Sequence, residues 1–99
     1  MKFKWRGKPQ KATEVYNDHD GEKVLVRLYG TLIVVIERNH ISLNTGGYPS
    51  VTTIRRMNQV SEEYNLGYDV YKRAGRLYVD TGRGPVFPFA YNTDARIKR

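Results

Sequence analysis

One stretch of this chain repeats its apolar residues at a helical period, and the segments around it do not. From Val51, the residues Ile54, Met57, Val60 and Tyr64 recur three or four apart. Wound at about 100° per residue, they share an arc of about 120°. Arg55, Arg56, Gln59, Glu62 and Glu63 fall on the opposite side. Ser50 is placed to cap the start, although Thr52 or Thr53 would also serve, and Asn65-Leu66-Gly67 closes the end, with Gly67 as the left-handed residue. The pattern predicts one amphipathic helix over about Val51 to Asn65.

The flanking segments alternate in twos or run β-branched. Lys23 to Leu28 sets Val24, Val26 and Leu28 on one face, and Thr31 to Ile36 follows after Tyr29-Gly30. The second run has no polar alternation and reads as a central strand covered on both faces. Ile41-Ser42-Leu43 adds a third strand, making an antiparallel meander. After the helix, Tyr68–Tyr71 and Arg76–Asp80 flank the turn Lys72-Arg73-Ala74-Gly75 as a hairpin. Val86 to Tyr91 contains Pro88, which restricts it to an edge strand or a strap. The fold class is α+β, an antiparallel sheet in the order βββ-α-ββ with one helix packed on it.

Ninety-nine residues, 39% of them apolar, suit a single globular domain. The net charge of +7 is unevenly placed. Residues 1–12 hold Lys2, Lys4, Arg6, Lys8 and Lys11 and no acid, whereas 13–91 balances nine basic against nine acidic residues. Residues 92–99 add Arg96, Lys98 and Arg99 against Asp94. The chain therefore divides into a basic arm or edge strand (1–12), a neutral α+β domain (13–91) and a basic C-terminal tail (92–99).

Several chemistries are excluded. Without cysteine there is no disulfide, thiolate nucleophile or thiolate zinc site. The longest apolar run, Leu32 to Ile36, falls far short of the roughly 20 residues of a membrane helix. No apolar stretch follows the basic start, so it is not a signal peptide. Two histidines and scattered serines supply no nucleophile–base–orienter set, and Glu62 and Glu63 diverge on the helix. Asp18-His19-Asp20 is read as a solvated turn, because adjacent turn residues rarely converge on one ion. No catalytic residue, metal, cofactor or small-molecule substrate is expected.

What remains is charge. Lysines interleaved with Phe3 and Trp5 suit phosphate contact and base stacking. Lys72, Arg73 and Arg76 gather on the hairpin, and Arg55 and Arg56 lie in the helix's first turns. Lys2, Lys4, Trp5, Arg6, Lys8, Lys11, Arg55, Arg56, Lys72, Arg73 and Arg76 are the candidate nucleic-acid residues. Asn44, Gly46, Gly47 and Tyr48 form a candidate interface loop, whose glycines before a helix also suit an anion. The same glycines equally serve to turn the chain.

The segments Tyr29-Gly30-Thr31-Leu32-Ile33-Val34, Leu43-Asn44-Thr45-Gly46-Gly47-Tyr48 and Val51-Thr52-Thr53 with Arg55-Arg56-Met57-Asn58 carry a resemblance, as does Leu77-Tyr78-Val79. Over about residues 28–90 the chain resembles a group of small proteins encoded by tailed bacteriophages, with Val34-Val35 where alanine is usual. The resemblance implies a phage origin and expression in a host bacterial cytoplasm, and it assigns no functional residue. It points to two roles, handling nucleic acid or binding a host protein; with the charge, the first reading is a non-enzymatic accessory protein that binds nucleic acid weakly and without sequence preference. The alternatives are a binder or inhibitor of a host bacterial protein, through tyrosine-rich sheet and the 44–49 loop, and a minor virion or assembly component.

Overall fold

The computed structural model describes residues 13–17, 22–47, 50–89 and 94–99. In chain order these form β1 (Thr13–Asn17), β2 (Val24–Leu28), β3 (Thr31–Ile36), β4 (His40–Leu43), α1 (Val51–Glu63), β5 (Asp69–Arg73), β6 (Arg76–Asp80), β7 (Phe87–Phe89) and β8 (Ala95–Lys98). The class is α+β with antiparallel pairing throughout.

The strands divide into two sheets rather than one: β1-β2-β3-β4-β8 and β5-β6-β7. Alternation shows which face of a strand is apolar but not which strand lies beside it, and here the helix intervenes. Ser61 Oγ donates to the Tyr68 carbonyl at 2.7 Å and accepts from the Tyr68 N–H at 3.1 Å. Asn58 does the same for Val70 with its side-chain amide, at 2.8 Å in each direction. Two helical side chains thus occupy the edge of β5 that would otherwise seek a strand.

The segment expected to be a basic tail at 92–99 contains β8, paired to β4 through Leu43–Ala95 and Ile41–Ile97. Ala95 and Ile97 are buried while Arg96 and Lys98 are exposed. Four alternating residues suffice for a strand once a partner is available, and counting charge hides that alternation. β1 is a further strand beyond the three-strand meander, and its exposure pattern leaves only Thr13 and Val15 half-buried.

β3 is central, between β2 and β4. The apolar run nevertheless has another cause than two fully covered faces, since Leu32 and Val35 are only half-buried. The register shifts between Val26 and Arg27, where Val34 and Leu32 are the successive partners. Ile33 is the extra residue of a bulge, and it is buried together with its neighbour Val34.

Ser50 caps α1, its Oγ accepting from the Thr53 N–H at 3.1 Å. Met57 and Val60 are fully buried and Ile54 and Tyr64 partly so, as the period requires. The helix ends two residues before Asn65, and Asn65 rather than Gly67 is its left-handed stop, at φ 53°. The Leu66 N–H bonds the Ser61 carbonyl and the Asn65 N–H the Glu62 carbonyl, the paired bonds of a Schellman end.

Lys72 and Arg73 belong to β5, so the hairpin turn is the pair Ala74-Gly75 alone. Both have positive φ, 51° and 77°, which is a two-residue type I′ loop. β7 is an edge strand with Pro88 exposed, as its proline demands. The inner faces meet in one core that includes Val26, Val34, Leu43, Met57, Val60, Val70, Leu77 and Val79.

Candidate nucleic-acid interface

Lys2, Lys4, Trp5, Arg6, Lys8 and Lys11 lie outside the described residues, as do Tyr48 and the Asp18-His19-Asp20 turn. The remaining candidates separate into three places. Lys72, Arg73 and Arg76 are exposed at the end of the β5–β6 hairpin. Arg73 and Arg76 stand directly opposite each other, and like charges in that position repel. One step back on the same face, Tyr71 and Tyr78 stack with ring centroids 5.7 Å apart. That cross-strand pair stiffens the base of the hairpin and holds the two guanidinium groups together.

The two helix arginines have different surroundings. Arg55 is exposed, whereas Arg56 is half-buried. Arg56 Nε donates to Thr13 Oγ1 at 3.1 Å and Nη1 to Gln59 Oε1 at 2.9 Å. Arg56 ties α1 to β1 and is structural in that arrangement.

The glycine loop does not present an anion cradle. The Gly46 N–H is bonded to Asn44 Oδ1 at 2.7 Å and the Gly47 N–H to Thr45 Oγ1 at 3.2 Å. Asn44 Nδ2 in turn donates to Asp94 Oδ1 at 2.8 Å. The amides that would hold a phosphate are taken by the loop's own side chains. Gly46 has φ +68°, and a Cβ there would meet Thr31 Cγ2 at 2.5 Å. Gly46 and Gly47 both have positive φ, which turns the chain, and Gly46 also permits the close approach to Thr31.

A basic cleft that the linear charge count did not reveal lies beside β8. Arg83, Arg96, Lys98 and Arg99 line it over a floor of Phe87 and Ile97, with a volume of about 440 Å³. None of the described residues lining it is acidic. Two of the cations are positioned by backbone. Arg83 Nη2 donates to the Lys98 carbonyl at 2.7 Å, and Arg99 Nη1 to the Glu37 carbonyl at 2.7 Å. The Arg99 N–H also bonds the Asn39 carbonyl at 2.8 Å. The one available signal was the alternation of Ala95, Arg96, Ile97 and Lys98; that Arg83 approaches them is a tertiary fact.

Among the described residues two tyrosines are perturbed. Burial pushes the Tyr68 hydroxyl well above its ordinary value, and that hydroxyl donates to the Met57 carbonyl at 2.6 Å. Burial, then the Glu63 charge, raise Tyr64. Neither faces the basic cleft. Among the described residues no group of three His, Asp or Glu side chains is arranged to hold a metal ion. No helix among them is long and apolar enough to cross a membrane.

The family model of the Kyanoviridae Gp96 protein matches residues 2–97. The chain belongs to this phage protein family. The match extends the likeness to tailed-phage proteins beyond residues 28–90, taking in both the basic arm and β8 of this Gp96-family chain. No curated protein and no solved structure matches it.

Proposed function

We propose that this phage protein is a non-enzymatic accessory module that binds nucleic acid by its phosphate backbone, weakly and without sequence preference. The observation that carries the reading is the cleft beside β8. Four cations converge there on an ordered edge, two are fixed by backbone carbonyls, and no described lining residue is acidic. Cations held in place lose less side-chain entropy on meeting phosphate than cations on a free tail. The hairpin pair Arg73–Arg76 supplies a second ordered contact, because an anion between the guanidinium groups relieves their repulsion. Residues 2–11 add five further cations. The site of action in this reading is the host bacterial cytoplasm, and no cofactor takes part.

Fluorescence anisotropy with a labelled 20-nucleotide single strand and a duplex of equal length tests the proposal. With four to six phosphate contacts, raising salt from about 50 to 200 mM weakens binding by roughly two to three orders of magnitude. The triple change Arg96→Gln, Lys98→Gln and Arg99→Gln is expected to cost tenfold or more in affinity for both probes. Deleting residues 1–11 reduces it further. Binding that ignores salt, or that survives the triple change intact, refutes the reading.

A further inference from the structure

The edge of β5 is sealed for two steps and open at the third. In an antiparallel pair, residues alternate between those that bond the neighbouring strand and those whose backbone points away from it. The two-residue turn closes on Arg73 and Arg76, which fixes the phase. Tyr68 and Val70 point away from β6, and Ser61 and Asn58 of α1 satisfy both backbone groups of each. Lys72 is the next outward residue. One turn further back on the helix stand Ile54 and Arg55, and neither matches a backbone N–H and C=O together, as Ser61 and Asn58 do. Among the described residues nothing else pairs with those two groups of Lys72.

A groove of about 490 Å³ opens at this point between α1 and β5. Val51, Ile54 and Val70 line it, and Val51 is 71% exposed. Arg55, Lys72 and the single acid Glu62 also line it. An unpaired strand edge beside an apolar wall is the arrangement used in recognition by strand addition. Two cations against the one carboxylate of Glu62 leave the lining net positive, which favours an acidic partner.

We propose that β5 takes up an extended segment of a partner protein as an added strand at Lys72. An apolar side chain of that segment packs on Val51 and Ile54, and acidic side chains meet Arg55 and Lys72. This surface is distinct from the cleft beside β8, and it does not depend on the nucleic-acid reading. Nucleic acid fits the groove poorly, because the wall is apolar and the selective feature is a peptide-like donor and acceptor.

The test uses the full-length ¹⁵N-labelled protein and a capped eight-residue peptide alternating valine and glutamate. At millimolar peptide, the Lys72 amide is expected to shift and to exchange at least tenfold more slowly. A peptide methylated on alternate backbone nitrogens fails to do this, and a valine–lysine peptide binds at least tenfold more weakly. Lys72→Pro removes the outward N–H without touching the β5–β6 ladder and abolishes the effect. Should that variant not fold, Val51→Glu at the first turn of α1 leaves the helix intact and weakens binding tenfold or more. The proposal is overturned by unchanged Lys72 exchange, by equal affinity for the lysine peptide, or by an oligothymidylate that slows exchange of the Lys72 amide as strongly as the peptide does.

Discussion

Asn58 grips the backbone of Val70 with both ends of its amide, donating to the carbonyl and accepting from the N–H at 2.8 Å each. Val70 is 1% exposed, so water offers these groups little compensation. Replacing Asn58 by Leu leaves both without a partner, at about 1–3 kcal/mol for each group. A urea titration is expected to show the lower midpoint, and hydrogen exchange at the Val70 amide to accelerate. An unchanged midpoint means that the strand edge satisfies itself in another way.

The buried Tyr68 hydroxyl makes stability fall at high pH. In the unfolded chain it ionises near pH 10, while in the native state burial keeps it protonated. Its contribution is therefore complete below about pH 10. Above that, the unfolded chain releases a proton that the folded one retains, and stability declines by about 1.4 kcal/mol per pH unit for that group. Tyr68→Phe costs about 1 kcal/mol at neutral pH through its lost bond to the Met57 carbonyl. The variant should show a shallower alkaline decline in urea melts; the residual slope belongs partly to Tyr64. Equal slopes for the two proteins count against this assignment.

Stability and charge separate cleanly within β8. Ile97 is 3% exposed and lies opposite Ile41, so Ile97→Ala is expected to cost about 2–5 kcal/mol. Arg96→Gln and Lys98→Gln, on exposed positions, are expected to stay within about 0.5 kcal/mol. Thermal melts distinguish an ordered strand from a tail, since a tail tolerates all three changes equally.

Gly46 offers a repairable clash. Alanine there adds about 1–2 kcal/mol of left-handed backbone strain and drives its Cβ against Thr31 Cγ2. Thr31→Ser deletes that methyl, so the double variant should recover part of the loss. The comparison is a double-mutant cycle read from denaturation midpoints, and strict additivity would show that the methyl is not the obstacle.

What could be read from the order of residues was whatever local periodicity dictates. The helical spacing from Val51 to Tyr64 marks α1, its cap and its buried stripe, and the alternation Val24-Leu25-Val26-Arg27-Leu28 marks β2. The hairpin follows from Gly75, although the turn is tighter than the charge cluster suggested. Partnership between distant elements was not legible. Ser61 and Asn58 are polar residues on a helix, and only the approach of β5 turns them into edge seals. The basic cleft was half visible: its cations stand in the sequence, but Arg83 and Lys98 meet only because the β6–β7 loop reaches β8. Charge counted by segment places the C-terminal cations on a tail, whereas alternation puts Ala95 and Ile97 of β8 in the core and leaves Arg96 and Lys98 outside.

The pairing of β4 with β8 has a kinetic meaning. Leu43 and Ala95 are cross-strand partners, so α1 and β5–β7 form a single excursion between two adjacent strands of the larger sheet. Within that excursion the contacts are short-range: Ser61 to Tyr68, Met57 to Tyr68 and Asn58 to Val70. Closing the β4–β8 seam instead requires ordering some fifty residues of intervening chain. Helix and hairpin are thus placed to assemble early and the seam to zip last. A conservative change such as Ile97→Val then accelerates unfolding and barely alters the folding rate, whereas Val60→Ala slows folding. Stopped-flow chevrons that show the reverse assignment would place the seam in the nucleus. A small domain built this way is held shut by the contact it makes latest.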